Sequence, residues 1–217
     1  MNKRTGLLGF FLLVFSAMAS ASTITWDMSG AGELGTSRAF VSSSGNITIT
    51  AYGFSAPSTS FDLYSKGLGG DENGLGLDYD DNINEIKGTG FIQLDVSQLA
   101  GKVNNFMFAM ESVTSPDGWK VRGSNTLGIE GVVLACTPAH PCPAGSTDEG
   151  VTHTISPFPV GAYKYVTFEA TAGTVLLGVI SADQSSQNPA PEPATLALTA
   201  LGLLGLGAFG RRLRKSK

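Results

Sequence analysis

The densest run of side chains able to do chemistry lies between residues 71 and 85. Asp71-Glu72-Asn73 is followed there by Asp78-Tyr79-Asp80-Asp81-Asn82-Ile83-Asn84-Glu85. Hard cations such as calcium bind about six to eight oxygen atoms, and carboxylates and amides at alternate positions could supply them. Asp71, Glu72, Asp78, Asp80 and Asn82 are therefore the candidate calcium ligands. The EF-hand pattern itself is absent, because Ile83 stands where its tight turn needs Gly and Thr89 where its bidentate Glu belongs. The alternative is a solvated loop in which Asp and Asn side chains bond their own backbone.

Aromatic faces that could stack on sugar rings are a second kind of site. Trp119 follows the turn sequence Ser115-Pro116-Asp117-Gly118, and Tyr79 sits inside the acidic run. These two are the candidate glycan-binding residues, with Tyr52 and Tyr64 behind them, and core packing is the competing role for each. Trp26 is read as core. A third kind of site is a carboxylate pair of the sort glycoside hydrolases use. Glu111, Glu130 and Glu169 each interrupt an apolar strand, where burial would raise the proton affinity of a carboxyl. Outward strand positions explain the same three residues without catalysis. No Gly-x-Ser-x-Gly elbow, His-Glu-x-x-His pair or phosphate-cradling loop is present, so the expectation is a non-catalytic protein.

Cys136 and Cys142 bracket five residues, and in an oxidising compartment they read as a local disulfide across a hairpin tip. A metal site joining these thiolates to His140 and His153 is the weaker reading, since a second close ligand pair is missing.

The elements that must position these residues alternate with period two. Ile24-Thr25-Trp26-Asp27-Met28, Ile47 to Tyr52 and Phe91 to Val96 show the pattern most clearly. Further strands are expected at 38–42, 61–65, 103–110, 119–122, 129–135, 163–170 and 174–181, with Gly, Asn, Ser and Pro between them. About ten short strands without an amphipathic helix predict an all-β protein, an antiparallel β-sandwich of jelly-roll-like order.

Both ends read as processing segments. Lys3 and Arg4 precede an apolar stretch, and Ala19-Ser20-Ala21 fits a signal-peptidase site with cleavage before Ser22, which assigns residues 1–21 to a signal peptide. The sandwich would then occupy residues 22–186. Residues 187–193 form a proline-rich linker containing Pro191-Glu192-Pro193, and residues 194–210 carry no charge. As a helix those residues span about 25 Å, close to the short limit for crossing a bilayer's hydrocarbon core. The tail at 211–217 holds Arg211, Arg212, Arg214, Lys215 and Lys217, which should stay on the cytoplasmic side. Without both ends the chain has seven basic and seventeen acidic residues. Such an acidic surface is unsuited to nucleic acid and compatible with cations or neutral glycans.

The order Pro-Glu-Pro, apolar helix and arginine-rich end resembles the PEP-CTERM sorting signal of Gram-negative bacteria. That resemblance implies transient anchoring in the inner membrane, cleavage by the membrane protease exosortase and release to the cell surface or an exopolysaccharide matrix, with glycosylation on the way. Signal peptidase and exosortase are then the partners during export, and exopolysaccharide a partner afterwards. The central part is similar to exported β-sandwich proteins carrying this signal, through Lys66-Gly67-Leu68-Gly69, Glu72 to Leu77, Asp80 to Ile86 and Phe168 to Ile180. The resemblance implies a structural or adhesive role, with calcium-assisted polysaccharide binding as its specific form. The alternatives are a secreted polysaccharide hydrolase and a permanently anchored periplasmic protein.

Overall fold

The computed structural model describes residues 22–30, 32–67, 72–79, 82–113, 117–136, 152–155 and 161–185, the side chains of Cys136 and His153 excepted. The signal peptide, the sorting segment, Asp71, Asp80 and Cys142 lie outside them. The expected cleavage site, the membrane helix, the disulfide and part of the calcium set therefore have no structural description. Residues Ala21–Gln187 form one compact unit.

That unit is all-β among the described residues. Its strands are β1 Thr23–Trp26, β2 Gly32–Gly35, β3 Ser37–Val41, β4 Thr48–Ala56, β5 Thr59–Phe61, β6 Leu63–Lys66, β7 Gly74–Leu77 and β8 Ile86–Lys87. They continue with β9 Phe91–Asp95, β10 Val103–Glu111, β11 Gly118–Ser124, β12 Val132–Cys136, β13 Thr152–Ile155, β14 Tyr165–Ala172 and β15 Thr174–Gln184. One 3₁₀ turn, Ser97–Leu99, is the only helical element described.

Two sheets result, and every strand pair in them is antiparallel. The first runs β13-β10-β15-β7-β6-β2, with β1 and β8 also paired to β15. The second runs β12-β11-β14-β9-β4-β3, with β5 on β4. Strand β15 is 11 residues long, runs beside β10 over residues 176–184, pairs also with β1, β7 and β8, and is buried along most of its length. A half-exposed strand would alternate instead.

The period-two pattern decides what faces inward. In β14, Val166, Phe168 and Ala170 enter the core, as do Trp119 and Val121 in β11 and Phe106, Phe108 and Met110 in β10. Phe108 joins the sheets, packing edge-on against Trp119 at 5.3 Å and against Phe168 at 5.4 Å. Trp26 is fully buried and donates its indole N–H to the Ile47 carbonyl at 3.1 Å. Burial of each such aromatic contributes about 1.5–3 kcal/mol.

Strands β2, β7, β8 and β13 are absent from the sequence-based expectation, and the single strand expected at 61–65 is divided between β5 and β6. Gly74-Leu75-Gly76-Leu77 shows why for β7, because glycine carries no strand propensity. Here the glycines serve close approach. A Cβ on Gly76 would overlap the Asn84 carbonyl oxygen, so only Gly lets the 82–85 segment lie against the sheet. Gly173, with φ of +60°, makes the tight crossing from β14 in one sheet to β15 in the other.

Candidate functional site

Two clusters of ionisable groups stand on this frame, one associated with each sheet. The first gathers Lys66 from the end of β6, Glu72 just before β7, Glu85 just before β8 and Ser112 just after β10. Lys66 Nζ lies 2.5 Å from Glu85 Oε1 and 3.2 Å from Glu72 Oε2. Ser112 Oγ lies 3.0 Å from Glu72 Oε1 and 3.1 Å from Glu85 Oε2. The Glu85 side chain is 5% exposed, whereas Glu72 is 42% exposed.

The backbone around this cluster is strained. Of the four non-glycine residues with positive φ among the described residues, Asn82 (+61°), Asn84 (+54°) and Ser112 (+58°) flank Glu85 or touch it. Such conformations cost about 1 kcal/mol or more each and persist where surrounding contacts enforce them. Burial works to raise the Glu72 carboxyl, but hydrogen bonds from Lys66 and Ser112 and the ammonium charge outweigh it and hold Glu72 below its ordinary value of 4.5. Burial would likewise lower Lys66, yet its bonds to Glu85 and Glu72 keep the ammonium more basic than usual.

The second cluster lies on the outer face of the second sheet. Lys120 and Arg122 of β11 and Glu169 of β14 point away from the core, and Glu130 reaches them from the segment between β11 and β12. Arg122 Nε sits 2.9 Å from Glu169 Oε1 and 3.6 Å from Glu130 Oε2, and Lys120 Nζ is 3.5 Å from Glu169. Glu130 is thus near a second carboxylate without the better share of the cations. Burial first, then the Glu169 charge, push the Glu130 carboxyl above its ordinary value, and Arg122 only partly offsets them.

Gln93 holds that second cluster's segment down. It is fully buried; its Oε1 accepts from the Gly128 N–H at 2.8 Å, while its Nε2 donates to Ile129 O at 2.8 Å and Thr167 Oγ1 at 3.1 Å. Every polar atom of the amide is used, as burial demands.

The structure sorts the sequence-predicted residues as follows. Trp119 is corrected from a glycan platform to a core residue, 1% exposed, because the β11 register turns it inward. Tyr79 is half-buried, with its ring 4.9 Å from that of Phe61, the Lys87 ammonium 4.4 Å above it and its hydroxyl donating to Lys87 O. Glu130 and Glu169 come together, whereas Glu111 belongs to the other sheet, its side chain lying over Gly178. Of the calcium set, Glu72 is engaged by Lys66, and Asp78 accepts from the Asn84 amide at 3.2 Å in the amide orientation its partners require. Asn82 is exposed. Among the described residues, no three His, Cys, Asp or Glu side chains are grouped to hold a metal ion.

Lys66, Glu85, Ser112, Gln93 and Arg122 were not foreseen as partners. A lone Lys beside an acid-rich segment was the available signal for the first cluster; Ser112 and Gln93 carried none.

An all-β, two-sheet domain followed by a sorting segment is the class these observations define. Residues 189–215 match the model of the PEP-CTERM protein-sorting motif. The motif marks an exported protein that is sorted through the membrane and processed by exosortase. No curated protein and no solved structure matches the chain.

Proposed function

We propose that this chain is a non-catalytic, structural or adhesive protein of the cell surface or extracellular matrix, delivered there after signal-peptidase and exosortase cleavage. The PEP-CTERM match at residues 189–215 is the observation that carries this reading. The strand order supports a jelly roll within it. The neighbours β7-β15-β10-β13 and β9-β14-β11-β12 follow the order in which eight strands wind between two sheets, and β1 to β6 widen both. Calcium-assisted polysaccharide binding is the specific form, supported by the left-handed turns at Asn82 and Asn84 that curl the acidic segment.

Intact-mass and C-terminal peptide mapping of protein from supernatant, outer surface and inner membrane tests the reading. Loss of everything after Pro-Glu-Pro, in protein found outside the cell, is the expected result. A full-length C-terminus confined to the inner membrane would instead establish the permanently anchored protein. A melting temperature unchanged by millimolar calcium removes the metal from the reading, because an ion bound to the folded state must stabilise it by mass action.

One observation favours the polysaccharide hydrolase. Glu130 is pushed toward the protonated form while Glu169 lies against Arg122 and Lys120, and such divergent environments suit an acid and its partner carboxylate. An activity on extracellular glycans that falls at least about 100-fold in both Glu130→Gln and Glu169→Gln would select it.

A further inference from the structure

Apart from Glu72, a calcium candidate that Lys66 already engages, the Lys66 cluster takes no part in the functional readings, yet it concentrates burial, close approach and strained backbone. We propose that Lys66 and Glu85 join in an intramolecular amide cross-link made by the folded chain itself. The two reacting groups are already paired, with Nζ 2.5 Å from Oε1 of the carboxyl whose Cδ it would attack, and the Glu85 side chain is held out of water at 5% exposure. A fixed approach of this kind replaces a bimolecular encounter and supplies much of the rate of an otherwise slow condensation.

The remaining groups are placed for the proton transfers. Glu72 Oε2 is 3.2 Å from the ammonium and accepts its proton, freeing the Nζ lone pair to attack Cδ of Glu85. Ser112 Oγ, whose single proton can turn from Glu72 Oε1 at 3.0 Å to Glu85 Oε2 at 3.1 Å, donates to the oxygen that gains charge as the tetrahedral intermediate forms. Both carboxylates meet Lys66 Nζ and Ser112 Oγ, which sets Glu72 beside Glu85, and Glu72 carries the two ammonium protons in turn to the departing oxygen. One N–C bond forms and one C–O bond breaks. The ammonium loses two of its three protons, and these leave with the Glu85 oxygen as water. Charge balances, since an ammonium and a carboxylate give a neutral amide, and no oxidant or co-reactant is consumed.

The positive φ at Asn84 and Ser112 fits this role. Both residues adjoin groups that must be held within bonding distance, and the close packing of the 82–85 segment on Gly76 fixes Glu85 above the sheet. The product would tie β6 to the segment preceding β8 and reduce the conformational freedom of the chain between them.

Peptide mapping of the full, folded protein after denaturation and trypsin tests the proposal, with folding of every variant checked by circular dichroism. The expected product is peptide 39–87, uncleaved after Lys66 and lighter by one water, which a second digestion between the two residues turns into a branched pair stable to hydroxylamine. Glu85→Ala should give two linear peptides, and Glu72→Gln should fold yet leave most of the chain unlinked. Quantitative cleavage after Lys66 in the wild-type protein would overturn the cross-link. So would a hydroxylamine-sensitive bond running from Ser112 to Glu85, because that product is an ester.

Discussion

Each ionic cluster sets two glutamates around basic nitrogen, yet the two treat their protons in opposite ways. In the first, Lys66 lies between the carboxylates and Ser112 adds its hydroxyl, so Glu72 is held ionised. In the second, Arg122 directs its Nε at Glu169 and stands off from Glu130, so Glu130 is pushed toward neutrality although two cations are nearby. The number of cations does not decide the outcome. Where the donors point decides it: Lys66 and Ser112 reach Glu72, whereas Glu130 is left to burial and the Glu169 charge.

Removing Lys66 is the most forceful way to break this contrast. Lys66→Met leaves Glu85 and Glu72 facing one another without a counter-ion and should cost about 4 kcal/mol in urea denaturation, as loss of one partner from a buried pair does. The amide cross-link predicts a loss in the same direction. A change below about 1 kcal/mol would show that solvent already screens the site.

Next in size is the anchor of the second cluster. Gln93→Ala deprives Gly128 of its acceptor and should destabilise the protein by about 2 kcal/mol. It should also free Glu130 from Glu169, so that the Glu130 carboxyl titrates nearer its ordinary value of 4.5 by NMR. An unchanged Glu130 titration in a folded Gln93→Ala protein would mean that other contacts hold the segment. Arg122→Met, at a partly exposed site, should cost about 1 kcal/mol and raise the Glu130 carboxyl further by removing an opposing charge.

The smallest effects sharpen the comparison best because their signs differ with pH. Glu72, whose folded value is depressed, contributes stability above the ordinary 4.5 that is lost as pH falls through the folded value. Glu72→Gln should therefore be less stable than the parent at pH 7 and lose, on acidification, the part of that deficit owed to the ionised carboxylate. A deficit persisting to low pH would report the missing amide instead. Glu130, whose folded value is raised, contributes stability below 4.5 that disappears as pH climbs through the folded value. Glu130→Gln should accordingly gain stability relative to the parent at pH 7, by less than about 1 kcal/mol, and lose the gain in acid. Melting curves from pH 3 to about 8 would follow both signs.

Much of the frame was legible beforehand. Alternation at Ile24-Thr25-Trp26, Thr48 to Tyr52 and Phe91 to Asp95 foretold β1, β4 and β9, because a two-faced sheet writes its period directly into hydrophobicity. Strand β7 was missed because Gly-Leu-Gly-Leu has an apolar inner face and an outer face with no side chains at all. Trp119, a glycan-platform candidate with core packing as its competing role, takes the core role for a related reason. A turn beside a strand raises the chance of exposure, but strand parity alone decides which way the side chain points.

The sequence by itself determined the sorting segment and the all-β class, since both are written in local order: a triplet, an apolar run and a basic end, or a period of two. The ionic sites were decided by the tertiary structure. Lys66, Glu72, Glu85 and Ser112 come from four separate places along the chain, and Arg122 meets Glu169 only across the β11–β14 pairing. Local pattern carries no information about such meetings, because strand order and register set them, and these follow from how two whole sheets bury their inner faces.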